Sequence, residues 1–409
     1  MTQHTVLIIG DARMAFPVVR ALSKAGHTVH AGVSMYSNYM EWSRYVDASF
    51  WHAPLEPGTD EPFERVRNWL LAHPEIDSIQ PVNEASIRFV TRHRGFFESQ
   101  AKIILPNREI IKTAVDKTKM FDLCTRLNGP IAKYQKISSM EETIAAIEEI
   151  GFPFILKPSI VDAYIFNRKA LILKDKADFN KQFPHWPKIH PELLIQKYLE
   201  GPRHSVIYSA KEGRLLGAVE VCAARTHEND GTGYTTYGIT VKPNPVIKAS
   251  VEAFVKEMNY SFTGCLQYIV EPKTGEVTFM EINPRVSLAR IAECAGLSHS
   301  IWGLKIAHNE PVSPLDDPWN LKIGVEYTWT KGELTMLISL LKGHKIGMKE
   351  FAKRLIRAAW DACRCHHAIF DPMDPLPSIG VYANKLIAPI REKRRQKRLV
   401  SNYIGAPIK

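Results

Sequence analysis

Several features common in other protein classes are missing from this 409-residue sequence, and each absence narrows its function. No apolar run approaches the roughly 18 residues of a membrane span; the longest, residues 334–341, is interrupted by Thr and Ser. The six cysteines are dispersed, which favours reduced, buried thiols over a disulfide framework. The first residues have no basic segment and no cleavage site, so we expect a first strand, in a cytoplasmic protein.

A complete dinucleotide fingerprint is also missing. Gly10-Asp11-Ala12-Arg13 follows the first apolar run with one glycine, where the fingerprint needs three. Close backbone approach to a pyrophosphate is therefore not provided for. NAD binding is disfavoured, and Gly10 is interpreted as the end of the first strand.

Excess positive charge is absent from most of the chain. The net charge is +10, but residues 1–340 carry 38 basic and 38 acidic residues, so the surplus lies in residues 341–409. A uniformly basic nucleic-acid binder is disfavoured. Residues 346–365 predict a basic amphipathic helix, and residues 391–398 are a basic cluster. One alternative is that the helix packs on the body of the protein. The other is that this basic region contacts an acidic partner or the inner face of an anionic membrane.

The apolar pattern predicts an α/β part followed by an α+β part. Strand–helix–strand spacing over residues 6–33 and a second cycle to residue 105 predict a doubly wound parallel sheet. Short strands at hairpin spacing between residues 205 and 280 predict an antiparallel sheet. The acid–proline stretch 371–377 predicts an extended linker. We expect domains at residues 1–112, 113–310 and 311–409.

The sharpest chemical pattern is Phe279-Met280-Glu281-Ile282-Asn283-Pro284-Arg285. Alternate residues of a strand share a face, so Glu281, Asn283 and Arg285 can point together. Carboxylate and amide oxygens suit Mg²⁺, and a guanidinium suits an oxyanion. A charged strand end is also often a solvated rim, so a site at this position needs companions.

The companions occur in an order that resembles the ATP-grasp family, from about residue 6 to residue 307. Lys117, at a helix start, and Lys157, in the strand 154–158, are similar to the family's two phosphate lysines. Residues 196–204 resemble the hinge that accepts adenine and ribose, particularly in biotin carboxylases. The residues that this resemblance implies for ATP binding are Lys117, Lys157, Gln196, Lys197, Leu199 and His204. The implied fold is a Rossmann-like pre-ATP-grasp sheet, an ATP-grasp fold and a basic helical C-terminal extension.

Pairing the strand before the turn at residues 272–275 with the strand 277–281 places Gln267 where the family usually has its first metal carboxylate. Residues 264–285 resemble carbamoyl phosphate synthetase large subunits, which carry Gln at the position of Gln267. This implies Mg²⁺, or alternatively Mn²⁺, on Gln267, Glu281 and Asn283. The alternative is a Gln on the sheet face, hydrogen-bonded to a neighbour.

The family's phosphate flap is usually rich in glycine, but residues 159–169 contain none. Either Arg168 and Lys169 contact phosphate through their side chains, or the flap has another use. Glycines occur instead in the loop 229–234. With Arg225, His227 and Tyr234, this loop is the candidate for substrate binding; the alternative is a mobile surface turn.

The resemblance implies a ligase that joins a carboxylate to an amine through an acylphosphate, with release of ADP and phosphate. Lys117 and Lys157 would hold phosphates, and Arg285 would meet the acid or the acylphosphate as the catalytic arginine. The acid and amine are expected to be small molecules or polymer-linked groups. Carboxylation, carbamoyl phosphate-type chemistry and a nucleotide-binding regulator with impaired catalysis remain as alternatives.

Overall fold

The structure is a computed structural model of the chain. It describes residues 2–10, 13–34, 39–56, 58–160, 163–188, 190–227 and 233–384. The basic cluster at residues 391–398 and most of the loop 229–234 therefore lie outside the described residues. Within the described ranges, no helix is long and apolar enough to cross a membrane.

The first part of the chain forms a five-stranded parallel sheet, as the sequence predicts. Its strands are β1 (Thr5–Ile9), β2 (Thr28–Val33), β3 (Ala48–Trp51), β4 (Ser78–Pro81) and β5 (Lys102–Ile103). Its helices are α1 (Ala15–Lys24), α2 (Glu61–Ala72), α3 (Glu84–Arg92) and α4 (Arg94–Gln100), with a 3-10 turn at Met40–Trp42. The strand order is β3-β2-β1-β4-β5. Successive strands are added on one side of β1 up to β3 and on its other side from β4. This change of direction is typical of doubly wound sheets, which bind ligands there, at the carboxyl ends of the strands.

The carboxyl end of β1 lies tightly against the start of α3. Gly10 has φ +100°, and a Cβ there would lie 2.9 Å from Ser86 Oγ. Asn83 caps α3, because its side chain accepts from the Ser86 backbone N–H at 2.8 Å. This packing fixes the direction of Glu84, the first residue of the helix.

A small antiparallel sheet follows. Its strands are β6 (Tyr134–Ile137), β7 (Phe154–Pro158), β8 (Leu171–Leu173) and β9 (Leu193–Lys197), in the order β6-β9-β7-β8. The helices in this stretch of the chain are α5 (Arg108–Ala114), α6 (Lys117–Arg126), α7 (Met140–Ile150) and α8 (Lys176–Gln182). Ile155 pairs with Gln196 across β7 and β9. Because side chains two residues apart share a face, Lys157 and Gln196 lie on the same face of this sheet.

The largest sheet has seven strands in the order β14-β13-β10-β11-β12-β15-β16. Its strands are β10 (Arg203–Lys211), β11 (Arg214–Thr226), β12 (Thr235–Val241), β13 (Phe262–Val270), β14 (Val277–Asn283), β15 (Glu326–Thr328) and β16 (His366–His367). The helices between them are α9 (Pro245–Glu257), α10 (Ala289–Ala295) and α11 (His299–Ala307). Only β15 and β16 pair in parallel among the described strands of this sheet. Its apolar side chains join those of the parallel sheet in one core, which includes Val6, Phe16, Ile207 and Ile291.

The C-terminal part adds a helical hairpin and then returns to the first sheet. Its helices are α12 (Thr330–Lys342), α13 (Met348–Arg364) and α14 (Leu376–Tyr382). The prediction of an extended linker over residues 371–377 is wrong. Asp374 is buried and accepts from Arg20 Nη2 at 3.0 Å and from Ser43 Oγ at 2.7 Å. Burial of a carboxylate requires such partners, so this stretch is held against α1.

Candidate active site

One cavity of about 790 Å³ is lined by residues from all three sheets or from the loops beside them. Among the described residues, two acidic side chains line it, Glu84 and Glu281. Its cationic lining residues are Arg13, Lys117, Lys157, Arg168, Lys169, Lys197, Arg203, Arg285, Arg290 and Lys345. An excess of fixed positive charge in a cleft favours an anionic ligand.

Two lysines lie at the end of β7, where the flap begins. Lys157 is buried, and its Nζ donates to Gln196 Oε1 at 2.9 Å. Lys117 Nζ donates to the carbonyls of Pro158 and Ile160, at 3.1 and 3.0 Å. Burial lowers the pKa of Lys157 to about 7, and the nearby Lys117 charge acts in the same direction. The two ammonium groups therefore lie near one another, and within the described part of the chain no carboxylate bonds directly to Lys157.

Gln196 also carries an unused donor. Its Nε2 is buried and has no hydrogen-bond partner among the described residues. A buried polar atom without a partner is costly unless a ligand or water satisfies it. Gln196 therefore offers this donor to an acceptor in the cavity.

The candidate metal ligands lie on two paired strands. Gln267 of β13 pairs directly with Glu281 of β14, as the sequence comparison across the hairpin predicts. Asn283 Nδ2 donates to Glu281 Oε1 at 3.1 Å, and Asn283 Oδ1 accepts from Arg285 Nη2 at 3.3 Å. All three side chains line the cavity. One carboxylate and two amide oxygens form a donor set that fits Mg²⁺, since this ion uses few protein ligands and completes its shell with phosphates and water.

Arg285 follows β14 and is fixed from the first sheet. Its Nη2 forms an ion pair with Glu84 at the start of α3, and its Nη1 donates to the Val286 carbonyl at 3.1 Å. Burial alone would lower the pKa of Arg285, but the Glu84 carboxylate raises it. The cationic form is thus secured inside the cavity, with its Nε lacking a partner among the described residues.

The flap forms a tight turn without glycine. Ile165 and Arg168 exchange two backbone hydrogen bonds, of 2.7 and 2.9 Å, around Phe166 and Asn167. Phe166 and Asn167 have φ of +46° and +62°, the left-handed conformation that glycine normally supplies in such turns. Arg168 and Lys169 line the cavity directly after this turn. Their placement agrees with the first of the two alternatives for the flap, contact through side chains.

Known proteins are similar to this chain in sequence. Residues 116–315 match the family described as carbamoyl-phosphate synthase L chain, ATP binding domain. Residues 116–315 therefore form an ATP-grasp domain. Two relatives are carbamoyl phosphate synthase large chains, from Clostridium acetobutylicum (29% identical over 47% of this chain and 18% of the relative) and Gemmatimonas aurantiaca (23% over 74% and 29%). The chain thus spans less than a third of the length of these curated relatives.

Solved ATP-grasp structures share the fold. The biotin carboxylase domain of 2-oxoglutarate carboxylase from Hydrogenobacter thermophilus superposes with a TM-score of 0.60, at 20% identity, over 80% of this chain and 74% of that one. N5-carboxyaminoimidazole synthetase from Staphylococcus aureus gives 0.61, at 14% identity, over 84% and 87%. The predicted fold class, a Rossmann-like sheet followed by an ATP-grasp fold, is confirmed.

Most of the site residues expected for an ATP-grasp protein meet in this cavity. Those that line it are Lys117, Lys157, Gln196, Lys197, Leu199, His227, Tyr234, Gln267, Glu281, Asn283 and Arg285. His204 and Arg225 do not. That the other residues meet in one cavity is a property of the fold. The binding role of each candidate residue stays a prediction.

His204 lies on the other face of β10 from its neighbour Arg203, which does line the ATP-grasp cavity. His204 Nδ1 lies 2.6 Å from the buried Glu220 carboxylate. Burial alone would lower the pKa of His204, but hydrogen bonds to Cys222 and Glu220 raise it to about 9. Arg203 donates to the Gly233 carbonyl at 2.7 Å. The hinge resemblance implied His204, but Arg203 is the residue that lines the cavity. Successive residues of a strand face opposite sides, so only one of these two neighbours can face the cavity.

Arg225 is anchored outside the cavity. Its Nε donates to Glu333 of α12 at 2.9 Å and its Nη2 to Asp361 of α13 at 2.5 Å. Both carboxylates are buried. Arg225 therefore ties the C-terminal hairpin to β11, and the structure does not place it where it could bind a substrate in this cavity.

An aromatic and cationic cluster lies at the cavity, where Arg13, which the sequence did not indicate, meets the candidates His227 and Tyr234. The Arg13 guanidinium lies 4.4 Å from the ring centroid of Tyr234 and 4.2 Å from that of Trp329. Tyr234 also stacks on His227, with ring centroids 5.4 Å apart. Arg13 comes from the loop after β1, so the first sheet contributes directly to the site. Nothing in the spacing of these residues signals their contact, because more than 200 positions separate Arg13 from Tyr234.

Proposed function

We propose that this protein joins a carboxylate to an amine in an ATP-dependent reaction that passes through an acylphosphate. The observation that carries the proposal is the single cavity in which Lys117, Lys157, the Glu281 and Asn283 pair and Arg285 meet. A carboxylate is a poor electrophile at neutral pH, so amide formation needs an activated acid. This chain supplies positive charge and hydrogen-bond donors where phosphoryl transfer needs them.

In the first step, a carboxylate oxygen attacks the terminal phosphorus of ATP, the bond to the bridging oxygen breaks, and ADP leaves. Lys117 and Lys157 hold the phosphate oxygens, while Arg168 and Lys169 approach from the flap. Arg285, fixed by Glu84, holds the acid. Gln267, Glu281 and Asn283 would hold Mg²⁺, which neutralises phosphate charge when bound.

In the second step, the amine nitrogen attacks the acyl carbon, the bond from that carbon to the phosphate oxygen breaks, and the amine proton leaves with the phosphate. The products are the amide and hydrogen phosphate. Arg285 stabilises the oxygen that carries negative charge in this step. The acid and the amine are proposed to be small molecules or groups carried by a polymer.

A second candidate uses bicarbonate as the acid. It is favoured by the relatives, which are named carbamoyl phosphate synthase, and by a structure solved with MgADP and bicarbonate. A third candidate is a nucleotide-binding regulator, favoured by the neutral Gln267 opposite Glu281 and by the flap without glycine. Both would use the same phosphate residues.

The test combines the protein with ATP, Mg²⁺ and pooled carboxylates and amines, with bicarbonate supplied separately. We expect phosphate release that requires both pools, an amide product detected by mass, and a hydroxamate when hydroxylamine replaces the amine. Phosphate release with bicarbonate alone would support the second candidate. ATP binding with no turnover in a library that contains the true substrates would support the regulator.

The matched variants are Glu281→Gln and Glu276→Gln. Glu281→Gln removes the one carboxylate of the proposed metal site and should lower turnover on the order of 100-fold, comparable to losing one transition-state contact. Glu276 is exposed in the turn before β14, and its variant should keep full activity. Equal activity of the two variants would contradict the metal site.

A further inference from the structure

Helix α13 turns its apolar side chains toward solvent. Met348 is 66% exposed, Ile356 70% and Trp360 67%, although an amphipathic helix normally buries such residues. The helix contacts the protein through a different face: Phe351 packs on the apolar residues of α12, and Asp361 is buried against Arg225. The prediction left open whether this helix packs on the body or contacts an anionic membrane or an acidic partner. The structure shows it packed on the body through one face, with the apolar residues of the opposite face exposed.

The exposed apolar side chains form one continuous stripe. The α13 stripe consists of Met348, Ala352, Leu355, Ile356, Ala359 and Trp360, all of them exposed. Their spacing of four, three and one residues places them within one arc of a helix with 3.6 residues per turn. Cys363 continues the arc by one further turn and is also exposed. The stripe therefore runs the length of a 17-residue helix.

A row of basic side chains borders the stripe. Lys349, Lys353 and Arg357 are exposed, and their spacing of four residues aligns them along one edge of the apolar arc. The helix as a whole carries five basic and two acidic residues. Asp361, one of the two acidic residues, is buried on the opposite face.

We propose that the α13 stripe docks on an anionic lipid bilayer, with the helix lying in the plane of the membrane surface. Apolar side chains, including a tryptophan, would enter the boundary between headgroups and acyl chains, and the basic edge would contact lipid phosphates. Charge favours this occupant over a second copy of the chain. Two such helices packed antiparallel, stripe to stripe, would bring their basic edges to the same side of the interface, and like charges would repel.

The experiment measures co-sedimentation of the full-length protein with vesicles at physiological salt. One set contains phosphatidylcholine with about 30% phosphatidylglycerol, and the other contains phosphatidylcholine alone. We expect binding to the anionic set only, weakening as salt increases because charge is screened. Two variants test the two parts of the surface: Ile356→Ser with Trp360→Ser for the stripe, and Lys349→Gln, Lys353→Gln and Arg357→Gln for the edge. Each should lower the bound fraction at least fivefold.

Matched controls lie far along the sequence on other exposed surfaces. Leu71→Ser with Ile323→Ser removes two exposed apolar side chains, and Lys174→Gln, Lys176→Gln and Lys273→Gln remove three exposed charges. Both controls should bind vesicles as the unchanged protein does. ATP turnover should be the same in all four variants, since none of these residues lines the active-site cavity.

Three outcomes would overturn the proposal. The first is equal loss of binding in the stripe and control variants. The second is unchanged binding in the stripe variant, which would assign vesicle binding to charge elsewhere in the chain. The third is a dimer in light scattering that the stripe variant converts to a monomer, because the stripe would then be an interface between copies.

Discussion

Replacing Arg225 with methionine tests whether this side chain holds the C-terminal hairpin, as its ion pairs indicate, or binds a substrate, as the sequence predicted. The change leaves Glu333 and Asp361, both buried, without their strongest partner. Removing one partner of a buried ion pair costs about 3–5 kcal/mol. Arg225 is 21% exposed, and Arg364 also approaches Asp361 at 3.4 Å, so we expect about 2–3 kcal/mol for Arg225→Met.

This cost should be confined to the C-terminal hairpin, where hydrogen exchange can measure it. Amides in α12 and α13 should exchange roughly 30- to 150-fold faster in Arg225→Met, since each 1.4 kcal/mol corresponds to a factor of ten. Nucleotide affinity should be unchanged, because Arg225 does not line the cavity. Arg214→Met, at the exposed start of the same strand, is the matched control and should leave exchange unaltered.

A second variant tests whether the uncompensated carboxylates cause the loss of protection. Adding Glu333→Gln to Arg225→Met removes one of the two uncompensated charges, so part of the protection should return. If Arg225→Met leaves hairpin exchange unchanged and instead raises the KM of the acid or amine, the structural assignment is refuted and the substrate role is restored.

Three further predictions concern the site and its surroundings. Lys157 has a pKa of about 7 before nucleotide binds, and phosphates favour its charged form, so nucleotide binding above neutral pH should take up a proton. Nucleotide affinity should therefore fall as pH rises. Calorimetry in two buffers measures the proton uptake, and Lys157→Arg should abolish it. His204 has a pKa raised to about 9, so its contribution to stability is complete below its unfolded pKa and is lost as pH rises through about 9. The thermal midpoint of His204→Gln should therefore vary less over that range than that of the unchanged protein. Glu84→Gln should lower kcat/KM on the order of tenfold, as loss of a supporting partner does, with nucleotide affinity kept; an equal loss of nucleotide affinity would show that Glu84 does not act through Arg285.

The regular parts of the fold could be predicted because local patterns specify them. The parallel strands beginning at Thr5 and Thr28 and the strand Phe154–Pro158 lie where the apolar spacing puts them. The linker predicted over residues 371–377 failed for a physical reason. An acidic residue beside proline reads as exposed, but Asp374 is buried because Arg20, far away in sequence, neutralises it.

The same distinction applies to the site. Strand alternation correctly indicated that Glu281 and Asn283 share a face, and hairpin pairing placed Gln267 opposite Glu281. Arg13 could not be predicted, since its contacts with Tyr234 and Trp329 exist only once two sheets pack together. The sequence could not indicate the ion pairs of Arg225 with Glu333 and Asp361, because a basic residue near a loop is compatible with ligand binding and with a buried ion pair.

The contact between Asp374 and α1 also bears on the order in which the molecule is completed during synthesis. Arg20 is 2% exposed and forms its ion pair with a carboxylate 354 positions later. Until that carboxylate has left the ribosome, Arg20 lacks the partner it has in the folded chain, so the amino-terminal sheet does not reach its final stability alone. Fragments that stop before residue 374 should for this reason unfold at a lower temperature than the full chain.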